Sequence, residues 1–155
     1  MYGEQDNKWS LIQILNPLPT QKNTYFGASL MLHGDRLVVS AAGVHSVYVY
    51  NFNSHLQHWS TDDVITKDWF AEHYCMRVAV SGDVIAVTTQ NIGLSFVYVR
   101  GRAGGWEERA LLRATSEPRS ANRGMSVRVK KNFVFTGRYV INGAVYVHDI
   151  SKAFP

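Results

Sequence analysis

Between Ser29 and Ile65 the chain alternates short apolar runs with polar breaks. Four runs rich in β-branched and aromatic residues stand at about Ser29 to Leu32, Arg36 to Ala41, Ser46 to Phe52 and Trp59 to Ile65. Runs of that length and composition, bounded by turn residues, predict strands. Gly34-Asp35 supplies a tight turn between the first two, and the polar stretch Asn53 to His58 a longer one between the last two. No stretch sustains a helical period, and Lys67 to Tyr74 has room for one turn at most.

The pattern recurs with a period near 48. Phe26 through Val39 aligns without a gap on Tyr74 through Val87, and a third copy runs from Arg123 to Phe135. Gly34-Asp35 falls on Gly82-Asp83, and Lys131-Asn132 occupies the third turn. Each copy is followed by a shared strand: Val47-Tyr48-Val49-Tyr50, Val97-Tyr98-Val99-Arg100 and Val145-Tyr146-Val147-His148. A tryptophan then opens a further run at Trp59 and at Trp106, and none follows the third copy.

The missing element stands at the other end of the chain. Trp9 precedes Phe26 by 17 residues, the interval from Trp106 to Arg123. The run Lys8 to Leu15 therefore reads as a displaced fourth strand. Repeated four-stranded units of this length predict an all-β chain built of β-propeller blades. The expected units are blade 1 at about 26–66, blade 2 at about 74–114, and blade 3 at about 123–150 plus strand 8–15. All three are four-stranded and antiparallel, with the N-terminal strand completing the C-terminal blade. The closure strand is expected to use Trp9, Leu11, Ile12 and Ile14 against Val145, Tyr146 and Val147.

These residues resemble the FG-GAP repeat family, the blade type of integrin α-subunit propellers. Phe26-Gly27, Gly34-Asp35, Val39-Ser40-Ala41-Ala42-Gly43, Val47-Tyr48-Val49-Tyr50 and Trp59 carry the pattern in the first unit. The second unit has Tyr74-Cys75 in place of Phe-Gly, and the third keeps Gly124 and Tyr146 without the Gly-Asp turn. The resemblance implies a propeller and an interaction role. It does not carry calcium, because no D-x-D-x-D-G run is present and Asp35 and Asp83 offer one carboxylate each, where Ca²⁺ takes six to eight oxygens.

Three blades are too few to close a ring of the usual four to eight. An open stack leaves two apolar faces in water. Closure by a second copy, giving six blades with twofold symmetry, satisfies both faces at once. A partner protein carrying complementary blades, or the rest of a longer propeller, is the alternative.

The 155 residues are 46% apolar and 18% charged, which suits one domain with its own core. Charge is unevenly placed: residues 1–99 hold five bases against eight acids, and residues 100–155 hold eleven against four. Arg119, Arg123, Arg128, Lys130 and Lys131 form a candidate basic surface, suited to acidic residues such as Asp62, Asp63, Asp68 and Glu72 of another copy. No nucleic-acid module accompanies these bases, so nucleic acid is not the expected partner.

Chemistry is sparse. His55 and His58, with Asp62, Asp63 and His73 nearby, lack a third ligand at motif spacing for zinc. Cys75 is the single cysteine, which rules out an intrachain disulfide and reads as a buried, inert thiol. No G-x-S-x-G run or other catalytic constellation stands out. The expectation is a non-enzymatic protein-interaction and assembly module without cofactor or metal. A lectin-like, carbohydrate-binding propeller using its tryptophans is the alternative. No run of about 18 apolar residues, export signal or glycosylation sequon occurs, which leans toward an intracellular setting without a membrane span.

Overall fold

Three two-residue turns set the register of the molecule. A turn this short needs a left-handed residue, which glycine supplies without steric cost. Gly34 and Gly82 take φ of +57° and +55°, and Lys131 takes +52° in the third turn. Each turn is tied by one backbone bond from two strands further on. Phe52 N–H donates to Asp35 O at 2.8 Å, Arg100 N–H to Asp83 O at 3.0 Å, and Ile150 N–H to Asn132 O at 2.8 Å.

The computed structural model describes residues 2–5, 8–18, 22–67, 75, 77–89, 93–113, 125–138 and 143–153. It is all-β. Sheet I is an antiparallel meander of β3 (Phe26–His33), β4 (Arg36–Ala41), β5 (Ser46–Asn53) and β6 (His58–Thr66). Sheet II repeats it with β7 (Arg77–Ser81), β8 (Val84–Thr88), β9 (Leu94–Arg100) and β10 (Trp106–Arg113). Sheet III has three strands among the described residues, β11 (Met125–Lys130), β12 (Phe133–Arg138) and β13 (Ala144–Asp149). β1 (Tyr2–Gln5) and β2 (Lys8–Leu11) form a separate hairpin.

Pairing registers fix which residues are equivalent. Val38 faces Val49 in sheet I, Ala86 faces Val97 in sheet II, and Phe135 faces Val147 in sheet III. Val47-Tyr48-Val49-Tyr50 therefore corresponds to Ser95-Phe96-Val97-Tyr98, two residues before the Val97-Tyr98-Val99-Arg100 run expected from composition. A slip of two keeps every side chain on its own face, since strand side chains alternate with period 2. The fourth strands agree in detail: Trp59 lies opposite Phe52 and Trp106 opposite Arg100, and each strand then carries a bulge, at Asp62 and at Arg109.

Sheet II lies between the other two, and β7 makes the closest inter-sheet approach to both β3 and β11. The face of each sheet toward its predecessor in the chain is called leading here, and the opposite face trailing. Val38, Val47, Val49 and Ile65 on the trailing face of sheet I pack on Val78, Val80, Ile85, Val87, Phe96 and Tyr98 on the leading face of sheet II. Ala79, Val84, Ala86 and Val97 of sheet II then meet Val127, Val129 and Val134 of sheet III.

The expected pairing of residues 8–15 with the third sheet is not made within the chain. β2 pairs with β1, Trp9 standing opposite Glu4. The segment after β2 runs across the leading face of sheet I, the far end of the stack from β13. Gln13 holds it there: its Oε1 accepts the Trp59 N–H and its Nε2 donates to the Trp59 carbonyl, both at 2.9 Å. Tyr48 and Tyr50 hydroxyls donate to the carbonyls of Leu18 and Asn16.

Candidate assembly interface

The contact between sheets I and II defines what a complete sheet-to-sheet joint contains. Its apolar centre is ringed by polar clasps. Arg36 reaches the Gly82 carbonyl and Asp83, the latter at 3.1 Å, while His33 Nδ1 accepts the Gly82 N–H. Arg100 pairs with Asp62, and Lys67 with Glu108. The Arg100 hydrogen bonds hold the Asp62 carboxyl below the usual carboxylate range. Two guanidiniums lie over the Trp106 ring, Arg36 at 5.1 Å and Arg100 at 5.6 Å from its centroid. Cys75 closes one end, its thiol donating to the Ser46 carbonyl and pushed up to about 12 by burial. Such a thiol is inert at neutral pH.

The two outer faces of the stack are built from the same positions. On the leading face of sheet I, Val39, Tyr48, Tyr50 and Trp59 are the counterparts of Val87, Phe96, Tyr98 and Trp106. Leu15, Phe26 and Leu37 cover part of that cluster. Leu30 and Leu32 are left 61% and 52% exposed, although their counterparts Val78 and Val80 are buried. On the trailing face of sheet III, Val145 is 69% and Val147 59% exposed, whereas Val47 and Val49 at the same positions are fully buried. Phe133 is exposed there as well, against buried Val84.

The expected closure residues are thus divided. Val145 and Val147 lie on the open trailing face of sheet III, while Tyr146 is half-buried toward sheet II. Leu11, Ile12 and Ile14 are exposed at the opposite end of the stack, and Trp9 lies in β2. Of the basic set, Arg128, Lys130 and Lys131 are exposed on β11 and its turn, with Arg128 and Lys130 alternating against the buried Val127 and Val129. Arg119 and Arg123 lie outside the described residues, as do Asp68, Glu72 and His73. Asp62 is paired with Arg100 of its own chain, and one Asp63 carboxylate oxygen accepts the Val64 N–H.

Other candidates are absorbed into packing. Trp59 is buried and packs at a tilt on Phe52, and the half-buried Trp106 ring has Arg36 and Arg100 over it. The His58 ring is hydrogen-bonded to Gln13 at 3.0 Å. Among the described residues, no group of three or more His, Cys, Asp or Glu is placed to hold a metal ion, and no helix is long and apolar enough to cross a membrane. Composition could not have pointed to the Gln13 clasp or to the exposed Leu30 and Leu32. Leu30 and Leu32 could have been found by asking which repeat positions lose their neighbour at the ends of the stack.

No family model matches the chain, and no curated protein matches it by sequence.

Proposed function

We propose that the three sheets are blades of a β-propeller and that the protein is a non-enzymatic assembly module in which two copies close one six-bladed ring. The observation that carries this reading is the identity of position between outer and inner faces. The trailing face of sheet III presents Phe135, Val145 and Val147 where sheet I presents Val38, Val47 and Val49 to sheet II. The leading face of sheet I carries Tyr48, Tyr50 and Trp59 at the receiving positions, buried in the single chain beneath residues 13–18, with Leu30 and Leu32 exposed beside them.

Closure by a twofold pair joins trailing face to leading face twice and leaves neither in water. Close approach of β7 to both β3 and β11, the first strands of their sheets, supports a radial arrangement of blades about an axis. The ring then offers its rim, including the turns at Asn53 to His58 and Gly101 to Gly105, to a protein partner.

Light scattering of the purified chain across a concentration series tests this directly. A constant mass near twice 17.5 kDa is expected. A persistent single chain overturns self-closure and points to a second protein carrying the complementary blades.

A further inference from the structure

Sheets I and II each end in a strand that sheet III lacks among the described residues. Those two strands share a layout that the chain contains a third time. From Trp59 to Ile65 and from Trp106 to Leu112 the separation is six residues, with a bulge at the fourth position of each. From Trp9 to Leu15 it is also six. Both existing strands lay their tryptophan opposite the residue whose N–H closes the two-residue turn, Phe52 or Arg100. In sheet III that residue is Ile150.

We infer that residues 9–15 of a second copy form the missing fourth strand of sheet III, pairing antiparallel with β13. This rests on the two-chain ring above and specifies how it is sealed. Carrying over the shared register puts Trp9 opposite Ile150, Ser10 opposite Asp149 and Leu11 opposite His148. Ile12 takes the bulge, and Gln13 and Leu15 then face Val147 and Val145. Leu15 joins the trailing face where Ile65 and Leu112 stand in the other sheets.

The donor is already at the right end of the stack. Residues 12–18 cross the leading face of sheet I, the face that meets sheet III of the other copy in the ring. Exchange releases Gln13 from Trp59 and Leu15 from the Tyr48–Tyr50 cluster. Phe135, Val145 and Val147 of the second copy take their place, and the bonds from Tyr48 and Tyr50 to the carbonyls of Leu18 and Asn16 are retained.

The exchange gives the outer edge of β13 a row of main-chain partners and removes an edge open to promiscuous pairing. Lys130 stands where His33 clasps the Gly82-Asp83 turn, which sets it against Gly34-Asp35 of the second copy.

The test is a directed cross-link between differently tagged chains. Ser10→Cys and Asp149→Cys chains are co-expressed and treated with a short bismaleimide; Cys75 is buried and stays unmodified. A product of about twice 17.5 kDa carrying both tags is expected, with neither variant alone giving it. Asp149 accepts the Ser151 N–H, so a second pair, Gln13→Cys with Val147→Cys, guards against a local effect of that loss. Ser10→Cys with Val145→Cys, about 13 Å out of register, is expected to stay unlinked.

A dimeric mass with no cross-link in either matched pair overturns the exchange and leaves the ring standing. A Ser10→Cys/Asp149→Cys chain that seals onto itself at single-chain mass also overturns it. A single-chain mass for the unmodified protein removes the ring and the exchange together.

Discussion

Val49 and Val147 occupy one register position in two sheets, facing Val38 and Phe135 respectively, yet Val49 is fully buried and Val147 is 59% exposed. The difference lies in what each trailing face meets. A charge at position 49 has to be buried against sheet II without a partner, whereas a charge at 147 is solvated in the single chain. Val49→Glu is therefore expected to prevent folding. Val147→Glu is expected to fold, with near-unchanged circular dichroism, and to scatter as a single chain. A Val147→Glu protein that keeps twice the single-chain mass would show that this face takes no part in association.

Phe96 is the largest fully buried side chain among the described residues and packs in the joint between sheets I and II. Truncating it leaves a cavity that close-packed β-sheets collapse into only partly. Phe96→Ala is expected to cost about 3–5 kcal/mol. Phe133→Ala, on the exposed face, is expected to leave the stability of the single chain within about 0.5 kcal/mol and to weaken association. Urea titrations at low and high protein concentration separate the two effects.

Acid should loosen the fold in two steps of the same sign. Burial lowers the His148 pKa from its ordinary 6.5, and the Arg100 hydrogen bonds lower that of Asp62 from 3.8. In both cases the unfolded chain takes up a proton before the folded one does. Stability is then full above the unfolded value and is lost as pH falls. The His148 contribution fades below about pH 6.5 and the Asp62 contribution below about pH 4. Urea midpoints measured at pH 7.5, 5.5 and 3.5 are expected to fall in that order. His148→Gln should shrink the first drop, and Asp62→Asn the second.

Lys131 holds a left-handed conformation that Gly34 and Gly82 hold without strain. Lys131→Gly is expected to raise stability by up to about 1 kcal/mol, because relief of the Cβ clash outweighs the added freedom of the unfolded chain. A thermal melt that falls by several degrees would contradict this.

Cys75 gives a reading of the joint between sheets I and II. Its thiol is buried, donates to Ser46 and is pushed up to about 12. A disulfide reagent at pH 8 is expected to label it at least a hundredfold more slowly in buffer than in denaturant. Rapid labelling of the native protein would mean that this joint opens readily.

Much of the strand framework is legible in the residues. Gly34-Asp35, Gly82-Asp83 and Lys131-Asn132 mark the turns, and alternation around them separates Val38 from Val39 and Val127 from Arg128. In the second sheet residue type aligns Val97-Tyr98-Val99 on Val47-Tyr48-Val49, whereas distance from the turn selects Ser95 to Tyr98, two residues earlier. Period-2 alternation cannot detect such an error, since both alignments bury the same faces. The N-terminal run carried the signature of a fourth strand, and the structure pairs it with β1. A single chain sets Lys8 to Leu11 and β13 at opposite ends of the stack, a separation invisible to local pattern. Gln13 escaped notice for a related reason: a glutamine that caps Trp59 from 46 positions away leaves no local trace.

The bulges at Asp62 and Arg109 sit in the outermost strands, where an inserted residue coils the local ribbon more tightly. In a head-to-tail contact, the rotation from one unit to the next decides whether growth terminates or continues. In the proposed two-chain ring, the coil that these insertions give the outer strands feeds into that rotation, so deleting Asp62 or Arg109 is expected to favour open, growing assemblies over a closed pair.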